Sequence, residues 1–163
     1  MDTASFRHNG VAMVTKKPLA IDRKEVSMSV GSFSTLRGTL DFTGPLNESK
    51  TLLYRVNGAY QQAKSFRDLV NNKSFLISPS FSYIPNEKTA INTELILSDM
   101  TGILDRGQPI FGAVAGKTSL NKTPISLNLG APGDFFKSKE MILMTNFAHK
   151  FNSKIGFNAS YMK

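Results

Sequence analysis

The sequence predicts an all-β fold built as an antiparallel meander, and three observations carry that prediction. Apolar and polar residues alternate with period two in seven successive stretches between Lys24 and Met162. No stretch shows a comparable helical period, and no run approaches the roughly 20 apolar residues that a membrane-spanning helix needs. The links between the stretches alternate in length, short ones on one side and mostly longer ones on the other.

The first two strands are read from VSMSVGSFSTLRGTLDFTG, residues 26 to 44. Val26, Met28 and Val30 alternate with Ser27, Ser29 and Gly31. After a short turn, Leu36, Gly38, Leu40 and Phe42 alternate with Arg37, Thr39, Asp41 and Thr43. TLLYRVNGAYQ gives the third strand, with Leu52, Tyr54, Val56, Gly58 and Tyr60 opposite Leu53, Arg55, Asn57, Ala59 and Gln61. In FLISPSFSYI, Ile77, Pro79, Phe81 and Tyr83 face away from Ser78, Ser80 and Ser82. AINTELILS sets Ile91, Thr93, Leu95 and Leu97 against Asn92, Glu94, Ile96 and Ser98. MILMTNFAHKF sets Leu143, Thr145, Phe147 and Phe151 against Asn146, Ala148 and Lys150. The seventh stretch, KIGFNASYM, sets Ile155, Phe157, Ala159 and Tyr161 against Gly156, Asn158 and Ser160.

Three links, GPLNES, PNEK and FNSK, are rich in turn formers and belong on one rim. The opposite rim carries the SFST turn, then KSFRDLVNNK, then a long segment from Thr101 to about Ser138. Short turns on one rim and longer loops on the other are the pattern of an outer-membrane barrel.

Composition does not decide which solvent the apolar face meets. The chain has 163 residues, 40% of them hydrophobic, and a mean hydropathy of −0.17. A barrel wall is apolar only at every second position, so it has the overall hydropathy of a soluble protein. The second face is more informative. Ser, Thr, Asn and Gly dominate it, with occasional Arg, Asp and Glu, as in a water-filled lumen. Aromatic residues gather near strand ends, at Phe42, Tyr60, Tyr83, Phe151 and Tyr161, where a membrane girdle places them. An antiparallel sheet with one solvated face, as in a soluble sandwich, remains the alternative on pattern alone.

Other chemistries find little support. With no cysteine there is neither a disulfide framework nor a Cys-based metal site. Net charge is +8 and the isoelectric point about 9.8, but the basic residues are scattered, so nucleic acid is not expected as a partner. GAVAGKTS, residues 112 to 119, has three residues between Gly112 and Gly116 where a phosphate-binding loop needs four, and it reads as loop. His8 and His149 lack partners at ligand spacing, and His149 reads as an interfacial strand residue. In DRG, Asp105 is expected to accept backbone hydrogens and Gly107 to take a positive φ. No nucleophile elbow is present, and catalysis is not expected.

NGVAMVTKKPL, Asn9 to Leu19, resembles the segment that ends the plug domain of TonB-dependent outer-membrane receptors. Ala12 and Met13 depart from the usual residues there, conservatively for a strand. VGSFSTLRGTLDFTGPLN, YRVNGAYQQAKSFRD, ISPSFSYIPNEKTAINTEL and LDRGQPIFG are similar, in order and spacing, to the first barrel strands of the siderophore-receptor branch. The resemblance implies residues 1–20 as the end of a plug and 21–163 as the N-terminal portion of a transmembrane barrel of about 22 strands. MDTASFRHNG lacks the features of a secretory signal, and Met1 is expected to be a late start within a larger receptor.

Function follows as an expectation from the same resemblance: energised uptake of a ferric siderophore or similar chelate across the outer membrane of a Gram-negative bacterium. Its partners would be outer-membrane lipid, the transported chelate and a periplasmic energy-coupling protein, with no resident cofactor. Candidate ligand-contacting residues are Arg37, Arg55, Arg106 and Phe111. Inward Arg37 and Arg55 would make a lumen attractive to anions, or else pair with Asp41, Glu94 or plug residues. A soluble β-sandwich binding module and a non-energised pore are the rival readings.

Overall fold

The computed structural model describes residues 15–108 and 124–163. The strands are β1 (Arg23–Gly31), β2 (Thr35–Pro45), β3 (Leu52–Lys64), β4 (Asn71–Asn86), β5 (Thr89–Gly102), β6 (Phe136–Lys150) and β7 (Gly156–Met162). They form one sheet in sequence order, each antiparallel to the next. Seven alternating stretches thus become seven strands of a meander, as the period-two pattern requires.

The register keeps the two faces apart across the whole sheet. Val26 pairs with Leu40, Leu40 with Gly58, Gly58 with Ile77, Ile77 with Leu97 and Leu97 with Met141, one apolar row over six strands. One position along, Asp41 pairs with Asn57 and Asn57 with Ser78. A slip of one residue in any hairpin would mix the two sets, so the pattern itself specifies the register. Gly58 has a packing reason: a Cβ there would stand 3.0 Å from Leu40 Cγ, so its absence lets Leu40 lie across the strand.

Burial is inverted relative to a water-soluble protein. The buried residues are polar, with Thr43 at 0%, Ser82 at 2% and Arg55 at 7% exposure. Leu53 is the only buried hydrophobic among the described residues, whereas Val26 at 71% and Phe81 at 49% stand exposed on the apolar face. A sandwich in water requires the reverse, since burial of apolar surface is its main driving force.

Each short turn is held by an asparagine. Asn47 Oδ1 accepts from the Leu52 amide at 3.0 Å, Asn86 Oδ1 from Lys88 at 2.9 Å, and Asn152 Oδ1 from Lys154 at 2.8 Å and Ile155 at 2.9 Å. These side chains replace missing ladder bonds where the chain reverses. On the opposite rim, Phe33 (φ 56°) and Ser34 (φ 55°) supply the left-handed pair that a tight hairpin turn needs.

Pro79 lies inside β4, a position that deprives a ladder of one donor. The β4–β5 register accordingly skips Ser78 and Pro79, and the Ser78 hydroxyl donates to Glu94 Oε1 at 2.7 Å across the gap. The strands are also longer than the alternation implied. β4 starts at Asn71 and β6 at Phe136, whereas alternation becomes visible only near Phe75 and Met141. With 16 and 15 residues they exceed the roughly 9–11 that cross a bilayer, and the surplus stands on the long-loop rim.

Candidate functional site

The polar face is crossed by an extended strap, residues 15–19, held by β2 and β3. Alternation puts Asp41 and Thr43 on that face of β2, and Arg55 opposite Thr43 on β3. Arg55 therefore sits diagonally from Asp41, within reach of its long side chain. Its Nε donates to Asp41 Oδ1 at 2.8 Å and its Nη2 to Oδ2 at 2.7 Å. This bidentate fork leaves Nη1 free to donate to the Lys17 carbonyl at 2.8 Å. Lys16 Nζ reaches the same Asp41 Oδ2 at 2.8 Å. The Leu19 amide donates to Thr43 Oγ1 at 2.9 Å, and that hydroxyl passes its own hydrogen to the Tyr54 carbonyl at 2.9 Å. Two strands thus grip three successive stations of the strap, through one carboxylate, one guanidinium and one hydroxyl.

Beside the strap the polar face holds a cavity of about 440 Å³. Lys16, Arg37, Glu25, Asp41 and Glu94 line it, two cations and three acids, so its field is mixed instead of uniformly positive. Arg37 donates to Gln61 Oε1 at 2.6 Å and meets no carboxylate among the described residues. Arg55, by contrast, is neutralised by Asp41. Of the two roles open to Arg55, the structure displays the pairing one, to Asp41 and to the strap.

The long-loop rim forms a second constellation. Arg67, in the β3–β4 loop, pairs through Nε with Asp105 Oδ2 at 2.9 Å and donates from Nη1 to the Leu127 carbonyl at 3.2 Å. Next to it the Asp68 amide donates to the Ser126 carbonyl at 2.7 Å. The β3–β4 loop is thereby tied to both described ends of the β5–β6 connection. Asp105 also accepts from the Gly107 amide at 2.8 Å, and Gly107 takes φ 74°, the turn expected of DRG. Arg106 is exposed and lines an open cavity of about 360 Å³ with Leu104, Asn128, Asp134 and Phe135.

Of the four candidate ligand contacts, then, Arg37 and Arg55 lie on the polar face and Arg106 on the loop rim. Phe111 and the GAVAGKTS stretch lie outside the described residues, as does His8. His149 stands on the apolar face of β6, hydrogen-bonded through Nδ1 with Thr89 Oγ1 at 2.9 Å and edge-on to Phe151 with centroids 4.7 Å apart. Arg67 is the rim residue that the sequence did not single out. Its only signal was a lone basic residue within a turn-rich loop.

No family model matches the chain. Among curated proteins it is 36% identical over 124 residues to the metal-pseudopaline receptor CntO of Pseudomonas aeruginosa strain UCBPP-PA14, covering 76% of this chain and 17% of that protein. It is 26% identical over 144 residues to the ferrichrome outer membrane transporter/phage receptor of Escherichia coli K12, covering 86% of this chain and 19% of that protein. Among solved structures, the ferripyoverdine receptor of the outer membrane of Pseudomonas aeruginosa, bound to ferripyoverdine, superposes with a TM-score of 0.75 at 25% identity, over 83% of this chain and 18% of that one. The chain spans about a fifth of the length of the curated relatives it matches. The sheet matches a wall segment of the outer-membrane receptor barrels, and its apolar side chains stand on the exposed face.

Proposed function

From the premise that this chain belongs with the siderophore-receptor branch of the TonB-dependent outer-membrane receptors, we propose that it serves the energised uptake of a metal chelate, a ferric siderophore or a similar complex. In this reading residues 1–20 end the plug and 21–163 begin the barrel wall. The long-loop rim faces the exterior and takes part in capture, with Arg106 and Phe111 as contacts and Arg37 further along the path. A periplasmic coupling protein then pulls on the plug through a more N-terminal segment, and no bond in the chelate needs to be broken by the wall.

The observation that carries this reading is the strap on the polar face. An empty pore has no use for a segment bound at Asp41, Thr43 and Arg55, whereas a plugged transporter must keep its plug fastened to the wall while force is applied to it. On this account Asp41 and Arg55 are positioning residues for the strap. Arg37 would add the attraction for anions that a low-dielectric wall concentrates.

The experiment is uptake of radiolabelled metal chelates by cells that carry, or lack, the full-length receptor containing this segment. Accumulation that requires the receptor and collapses when the proton gradient is discharged supports the reading. Accumulation that is equal in both strains, or indifferent to the gradient, removes it.

A further inference from the structure

Charge on the polar face is distributed unevenly about the strap. Two cations, Arg55 and Lys16, share the single carboxylate of Asp41. Arg55 already occupies both of its oxygens, so Lys16 adds a second donor to an oxygen that is satisfied without it. The Lys16 side chain is 61% exposed, and an ion pair so open to water holds it weakly. On β5, Glu94 is in the opposite condition. It is half-buried, its Oε1 accepts from the Ser78 hydroxyl at 2.7 Å, and it meets no cation among the described residues. Of the three acids of the strap cavity, Asp41 has Arg55 and Lys16, Glu25 has Arg23, and Glu94 lacks a basic partner among the described residues. Lys16 and Glu94 nevertheless face the same two spaces. Both line the cavity of about 440 Å³, and both line a smaller one of about 40 Å³ between the strap and β4 to β6.

We propose that Lys16 is a two-position latch, whose ammonium group leaves Asp41 for Glu94 and so ties the start of the strap to β2 or to β5. In the second position Asp41 keeps Arg55 and Glu94 gains Lys16, so every acid of the cavity has a basic partner. β2 and β5 lie three strand spacings apart, about 14 Å along the sheet, and Lys16 stands over the space between the two acids. A flexible four-carbon stem pivoting there serves each acid in turn. The remainder of the strap keeps its hold in both positions, because Arg55 Nη1 donates to the Lys17 carbonyl and Thr43 Oγ1 accepts from the Leu19 amide. The two positions exchange one exposed ion pair for another contact of the same kind, so little free energy separates them and a small bias selects between them. The use of the latch rests on the transport reading: a plug end that changes its hold from one strand to another moves under load without coming free.

The test uses the full-length receptor containing this segment, purified in mild detergent and treated with a water-soluble carbodiimide. This reagent joins a lysine to a carboxylate only where the two touch, and peptide mass spectrometry identifies the joined pair. The ion pair of Lys139 with Asp99, 3.4 Å apart on the exposed rim, serves as the internal standard. The wild type should yield a Lys16–Glu94 product, which a lysine fixed on Asp41 cannot form. Ser78→Ala removes the donor that now competes for Glu94 and should raise the yield of that product about fivefold, the population shift that one hydrogen bond commands. Each protein is first shown to be folded by its heat-modifiable gel band. Absence of the Lys16–Glu94 product while Lys139 and Asp99 are joined overturns the proposal. So does a Lys17–Glu94 product in its place, or a yield that Ser78→Ala leaves unmoved. Chelate uptake by cells carrying the same receptor separates the two ideas. A receptor that forms the product but accumulates no chelate loses the transport reading alone, and one that transports without forming it loses the latch alone.

Discussion

Arg55 grips Asp41 through two hydrogen bonds, at 2.8 and 2.7 Å, and with its remaining Nη1 holds the backbone of the strap at Lys17. The pair is nearly closed to solvent, with side-chain exposures of 8% and 12%. Removing Asp41 would leave Arg55 as an uncompensated charge, which costs more than the pair itself contributes, whereas Asp41 without Arg55 still meets Lys16.

Asp41→Ala should therefore destabilise the assembled receptor by about 3 kcal/mol, and Asp41→Ala combined with Arg55→Met by clearly less. Denaturant midpoints of the two variants, read on the heat-modifiable band, decide this. A double variant as weak as the single would show that the strap contacts, not the orphaned charge, set the loss.

The two faces should respond oppositely to charge. An arginine on the lipid side near mid-bilayer costs about 2 to 4 kcal/mol, whereas the polar side tolerates it. Leu40→Arg and Val56→Arg should lower outer-membrane assembly in the full-length receptor, and Thr39→Arg and Asn57→Arg should not. Immunoblots of outer-membrane fractions supply the measurement, and equal losses on both faces would contradict the assignment.

At the loop rim, Arg67→Ala removes both the ion pair to Asp105 and the bond to the Leu127 carbonyl. Protease added to intact cells should then cut between Ile103 and Phe135 several times faster than in the wild type. Arg67→Lys should restore protection only in part, because an ammonium lacks the planar fork that serves two acceptors at once. In either protein the PNEK turn should be cut last from outside.

The chain by itself should neither close nor transport. β1 and β7 each have one unpaired edge within the sheet, and lipid offers no water to those backbone groups. Purified alone, it should need detergent or aggregate, and it should lack the compact gel band of a closed barrel. A soluble monomer with a cooperative unfolding transition would overturn the lipid assignment.

What could be read from the sequence was whatever a periodic environment imposes. Leu40, Val56, Ile77 and Leu97 alternate with polar residues because each strand has one apolar and one polar face, and all seven strands follow from that alone. The extensions at residues 71–74 and 136–140 were not legible, because there both faces carry polar residues and alternation vanishes while the ladder continues. Asp41 and Arg55 were recognisable as possible partners, being two polar-face charges on adjacent strands. What the strap offers Arg55 is the Lys17 carbonyl, a group that every residue possesses and no pattern marks. Arg67 and Asp105 are brought together by two irregular loops, and irregular backbone carries no period from which to read a contact.

Six antiparallel steps separate β1 from β7, so the first and last strands point the same way. Parity then governs what can complete the ring. Two copies of this sheet set side by side about a common axis would meet β7 against β1 in parallel at both seams, the wrong ladder for a wall of this kind. Antiparallel closure instead demands an odd number of further strands. A receptor barrel of about 22 strands satisfies that condition with about 15 more.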